Sequence, residues 1–240
     1  MPNNAPPMGA SSALAKGTAK NGGKTASANA TANANAPDPR YRIVDETQPG
    51  LEADVLALAK KSKMTPPPLK MAIAARPRLR LLTSKGAITV ELDSKAAPLQ
   101  VKSFVYLAGR NFFDGTRFHR YVENFVIQGG SPLSKDPIYT KYAAKPDEEN
   151  PIGGGGPGYQ IPREYNNLKH NAMMLAAARS GDPDSAGSQF YFTLKAASFL
   201  DRENSPDGFG YTVFGKVVSG SDVVLKLRQG DKLQSVRLLR

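Results

Sequence analysis

The chain has 240 residues, two histidines, no cysteine and no tryptophan, and carries a net charge of +11 at neutral pH. Disulfides, thiolate metal ligands and a cysteine nucleophile are therefore excluded, and a histidine-rich metal site is disfavoured. The charge is spread thinly, +4 over residues 1–70 and +7 over the rest, with no long basic run and no basic stripe interleaved with aromatics, which argues against a nucleic-acid partner.

Residues 1–37 hold eleven Ala, six Asn, three Lys and no acidic residue, with almost no large apolar side chain. Such a segment cannot bury enough apolar area to offset its ordering entropy, so residues 1–48 read as a low-complexity disordered tail. The N-terminus lacks the apolar core of a signal peptide, and no run of about 18 apolar residues exists to span a membrane. The expected compartment is the cytoplasm; a start site that omits a signal sequence would place the protein outside it.

Residues 49–77 form the next unit. "PGLEADVLALAKKSKM" (49–64) spaces Leu51, Val55, Leu58 and Ala59 along one helical face, and the prolines of "TPPPL" (65–69) stop it. The sequence leaves open whether this helix docks on a domain or acts as a spacer.

From Arg78 onward the pattern is that of a folded domain, 78–240. "RLRLLTSKGAITVEL" (78–92) alternates as a hairpin turning at "SKG". "APLQVKSFVYLAG" (97–109) switches to helical spacing, with Val101, Phe104, Val105 and Ala108 on one face, Pro98 in the first turn and Gly109 at the end. Strands are expected at 124–128, 189–194 and 211–218, a second helix at 221–230, and a last strand in "KLQSVRLL" (232–239). Many antiparallel strands with two clear helices indicate a mainly β barrel or sandwich closed off by helices. The connection from 131 to 162 is long for a compact domain, and loops of this length tend to be functional or partly disordered. Its four glycines (153–156) lack the following Lys-Ser/Thr of a phosphate loop.

The chemistry-bearing residues are few. No Gly-x-Ser-x-Gly elbow, His-Glu-x-x-His motif or Ser/His/Asp set is present. An apolar pocket with a few donors is what remains, which suits binding and non-covalent catalysis. Phe112, Phe113 and Phe192 read as core and His119 as a satisfied structural histidine. "FHRYVENFVIQGG" (118–130) departs from this default, because it sets Arg120 and Gln128 among aromatic and aliphatic neighbours.

Four stretches, "FDGTRFHRYVENFVIQGG" (113–130), "GGPGYQIPREYN" (155–166), "DPDSAGSQFYFTL" (182–194) and "YTVFGKVVSGSDVV" (211–224), resemble the cyclophilins in order and spacing. These are peptidyl-prolyl cis–trans isomerases. The resemblance covers about 78–240, and "LAAARSGDPDSAGSQF" (175–190) is similar to bacterial members. It implies an eight-stranded antiparallel closed β-barrel capped by two helices, acting as a monomer on unfolded or proline-containing polypeptides without cofactor or metal.

Residue by residue, the resemblance implies that Arg120 is the catalytic arginine, Gln128 its support and Phe125 the aromatic floor of the proline pocket. Gln189, Phe190, Leu200 and Tyr211 then line the groove. Three departures accompany the match. Ala177 stands where a pocket methionine is usual, which keeps open a module that binds proline peptides without turning them over. Phe199 replaces a tryptophan common in eukaryotic members, so an indole N–H is lost and cyclosporin is expected to bind weakly. Arg179 replaces a common asparagine whose contact runs through the backbone, leaving its side chain free to vary.

Overall fold

The computed structural model describes residues 33–44, 52–145 and 150–240. In chain order, β1 (Arg42–Ile43) and α1 (Ala53–Lys61) precede the hairpin β2 (Arg78–Thr83) and β3 (Gly86–Leu92). Then come α2 (Pro98–Gly109), β4 (Thr116–Arg117), β5 (Arg120–Val122) and β6 (Val126–Gly129). The long connection carries α3 (Ile138–Tyr142) and β7 (Tyr159–Gln160). β8 (Met174–Ala177), β9 (Phe190–Thr193), β10 (Val213–Ser219), α4 (Ser221–Lys226) and β11 (Lys232–Leu238) complete the chain.

The large sheet runs β4-β11-β2-β3-β10-β8-β9-β6-β5, antiparallel throughout. Its two ends belong to one continuous run of chain. Thr116 and Arg117 pair with β11, Phe118 exchanges backbone hydrogen bonds with Asp231 and Gly230, and two residues later Arg120 pairs with β6. Taken as a single bent strand, 116–122 curls the sheet shut, and the barrel has the eight strands that the resemblance implies.

The period-2 alternation of the hairpin decides what faces inward: Leu79, Leu81, Ile88, Val90 and Leu92 are fully buried, while Arg78 and Arg80 are exposed. Phe104, Phe113, Phe118, Phe190, Phe192 and Phe214 fill the barrel, all essentially without exposure. Phe190 lies at the centre, edge-on to Phe104, Phe113, Phe118 and Phe192 with centroids 5.4–6.3 Å apart.

α2 is buried on more than the one face its spacing indicates, including Gln100, Lys102 and Ser103. The cause is a strap of chain upstream of the barrel. Tyr41 donates to the Leu99 carbonyl at 2.8 Å, and Lys102 Nζ reaches Asp38 Oδ2 at 3.1 Å and the Leu69 carbonyl at 3.0 Å. Residues 33–44, which composition assigns to the tail, thus carry β1, pair with β7 and pack on the barrel. The remainder of the 1–48 tail lies outside the described residues. α1 docks on the long connection, where Val55 joins Leu133, Ile138, Tyr142 and Ile152 in a small separate core.

The second helix stops at Lys226 instead of continuing to 230. The Asp231 carboxylate accepts the Arg228 N–H at 2.8 Å and turns the chain toward β11. β6 begins at Val126 and not at 124, because Asn124 adopts a left-handed φ of 58° in the β5–β6 turn.

Candidate active site

The site lies where β5, β6, β8 and β9 turn their outward residues to one side. Arg120 and Gln128 are direct cross-strand partners in the β5–β6 register, so both side chains leave the sheet on the same face. The tight turn between the two strands is closed by the Phe125 N–H to the Val122 carbonyl, and Phe125 is buried at its end.

Gln128 is held from behind. Its Nε2 donates to Gln189 Oε1 at 3.0 Å, and Gln189 Nε2 donates to the carbonyls of Gly153 and Gly155 at 2.8 Å each. The glycine run therefore presents acceptors toward the site, the opposite of what a phosphate cradle requires. Gly155 has to be glycine, since a Cβ there would sit 2.7 Å from Ser131 Oγ and 2.8 Å from Leu133 Cγ.

A second buried apolar cluster, outside the barrel interior, joins Phe125, Val126, Ala176, Ala178, Tyr191, Ala197, Leu200 and Val213, with Tyr211 packed against it. Phe199 is 44% exposed and stacks at a tilt on Phe125, centroids 5.2 Å apart, so the cluster reaches the surface there. Tyr211 meets Tyr191 edge-on at 6.2 Å. Burial pushes the Tyr211 hydroxyl pKa up, opposed by the nearby positive charges of Arg179 and Arg120, so the phenol stays neutral.

Arg120, Gln128, Phe125, Gln189, Phe199, Leu200 and Tyr211 are thus gathered into one site. Phe190 and Ala177 are not. They are register partners whose side chains point into the barrel, Phe190 with no exposure at all. A one-residue offset along a strand exchanges its faces, and the outward residues are Tyr191 on β9, and Ala176 and Ala178 beside it. The alternation Phe190-Tyr191-Phe192, with the one polar-tipped ring in the middle, carries that signal.

Arg179 also departs from expectation. Its side chain is buried, donates from Nε and Nη2 to the Gly210 carbonyl at 3.0 Å each, pairs with Asp207, and lies 4.2 Å over the Tyr211 ring. It pins the 207–211 loop and is not free to vary. His119 is not the satisfied histidine expected. Neither ring nitrogen makes a hydrogen bond of normal geometry among the described residues, although the Arg117 backbone and the Gln189 side chain lie near. Burial pushes its pKa down to about 4, so it is neutral beside Arg120.

A curled antiparallel barrel with an arginine–glutamine pair beside an outward aromatic pocket defines an isomerase of the cyclophilin class. Residues 78–239 match the family described as cyclophilin type peptidyl-prolyl cis-trans isomerase/CLD, and the chain belongs to that family. It is 37% identical over 158 residues to a peptidyl-prolyl cis-trans isomerase of Helicobacter pylori, spanning 64% of this chain and 82% of that one. It is 38% identical over 149 residues to peptidyl-prolyl cis-trans isomerase A of Dickeya dadantii, spanning 62% and 70%. In three dimensions it resembles a cyclophilin type isomerase of Cryptosporidium parvum, with a TM-score of 0.54, 22% identity, and 69% and 98% of the two chains covered.

Proposed function

We propose that the chain rotates Xaa-Pro bonds in unfolded or exposed polypeptide segments, with Arg120 as the catalytic donor. The observation that carries this reading is the register that sets Arg120 opposite Gln128, in the hairpin whose turn ends at Phe125. An Xaa-Pro bond isomerises over tens to hundreds of seconds because rotation breaks amide resonance, against a barrier of about 18–20 kcal/mol. As the bond twists, the prolyl nitrogen regains its lone pair. A cationic donor aimed there is worth more in the twisted state than in the planar one, which is the condition for catalysis.

Each neighbour has a part. Phe125, Leu200 and Phe199 hold the proline ring in a poorly hydrated pocket, where charge acts more strongly. Gln128 is neutral, so it steadies the guanidinium without quenching it, and Gln189 relays that support to the glycine carbonyls. A Cryptosporidium parvum relative has been crystallised in the presence of the dipeptide Ala-Pro, which supports proline-containing peptides as the ligand class here. The chain acts as a monomer, and cyclosporin binds weakly because Phe199 offers no indole N–H.

The alternative of a module that only binds proline peptides rested on Ala177 in the pocket wall, and that side chain is inside the barrel. A cis-to-trans assay on a proline tetrapeptide separates the two. The wild-type protein is expected to raise the rate well above background. Peptide binding with a rate that stays at background would leave only the binding module.

A further inference from the structure

A polar chain lies beside the second apolar cluster, in a part of the molecule where an unpaired polar group would be costly. Tyr191 is fully buried, and its hydroxyl sits 2.9 Å from His170 Nε2. The other ring nitrogen, Nδ1, is 2.7 Å from Asp201 Oδ1, which also accepts the His170 backbone N–H at 2.9 Å. The His170 carbonyl in turn accepts the Ala197 N–H at 2.7 Å. His170 therefore grips both ends of the 197–201 turn, and that turn carries Phe199 and Leu200.

Donor roles follow from the partners. Asp201 Oδ1 is already the acceptor of the His170 backbone N–H, so Nδ1 donates to it and Nε2 offers its lone pair to the Tyr191 hydroxyl. Tyr191 backs the pocket from β9, while Leu200 closes it from the turn. We infer that His170 and Asp201 are positioning residues for the proline pocket, one imidazole fixing the gap between the Tyr191 ring and the Phe199–Leu200 turn. The inference rests on the proline pocket as read above and adds what sets its width.

The test compares wild type, Tyr191→Phe, His170→Leu and the double variant, reading KM and kcat in the tetrapeptide assay and the Kd of an Ala-Pro peptide by NMR titration. Tyr191→Phe removes one hydroxyl and leaves the ring. It is expected to raise KM and Kd about three- to tenfold, the scale of one buried hydrogen bond, with kcat within about twofold of wild type. His170→Leu also releases the turn and raises both further, and the double variant is no worse than His170→Leu, because the two share one network. Unchanged KM and Kd in Tyr191→Phe, or a fall in kcat at constant KM, would overturn the inference. If His170→Leu does not fold, Tyr191→Phe decides alone. Absence of turnover by the wild type would refute the isomerase reading instead, and the Kd comparison would still decide this one.

Discussion

Gln189 stands between the Gln128 amide and the glycine run, accepting from Gln128 Nε2 at 3.0 Å and donating to the Gly153 and Gly155 carbonyls at 2.8 Å. The segment that holds those carbonyls includes Ile152, which packs in the same small core as Val55 of α1. Support for the Arg120–Gln128 pair therefore reaches back to the helix that precedes the barrel. Gln189→Leu cuts this connection and strands two carbonyls and an amide. We expect kcat/KM to fall about tenfold, with the melting temperature lowered by a few degrees. An unaltered kcat/KM would mean that Gln128 needs no such support.

Phe190 is a core residue, and its removal measures folding before anything else. Phe190→Ala deletes a ring packed against four others and is expected to cost about 3–5 kcal/mol of stability in chemical denaturation. A loss below about 1 kcal/mol, together with weakened peptide binding, would return Phe190 to the groove.

The strap is clamped by Asp38, whose carboxylate is fully buried between Arg40 and Lys102. The Arg40 hydrogen bonds, with help from Lys102 and against the cost of burial, hold its pKa down at about 2 from an ordinary 3.8. A folded-state pKa below the unfolded one gives stability that is fully present above about pH 4 and lost as pH falls toward 2. Asp38→Asn should lower the melting temperature at pH 7 and flatten its decline between pH 4 and 2. Parallel acid profiles for variant and wild type would show that the clamp contributes nothing.

Much of this was legible in the sequence, and the exceptions have physical causes. The hairpin 78–92 and the helix 97–109 follow from period 2 and period 3.6, while Arg120, Gln128 and Phe125 lie in one short stretch whose roles the resemblance to the cyclophilins implies. Phe190 and Ala177 lie one residue from the outward positions, which in a strand is the difference between core and surface. The Asp201–His170–Tyr191 chain joins residues 21 and 31 positions apart along the sequence. No local pattern marks such a set, and it becomes visible only once β9 and the 197–201 turn are side by side. The burial of α2 on its outer side was equally hidden, since it depends on Asp38 and Tyr41 returning from a stretch whose composition reads as tail.

Catalysis by Arg120 is decided by measuring tetrapeptide isomerisation and Ala-Pro peptide affinity together for wild type and Arg120→Ala. Removing one preorganised donor is expected to lower kcat/KM by about 10²-fold or more. The peptide Kd should stay within about threefold, because Phe125, Leu200 and Phe199 remain to hold the proline ring. Equal isomerisation rates for the two proteins would rule out Arg120 as the catalytic donor.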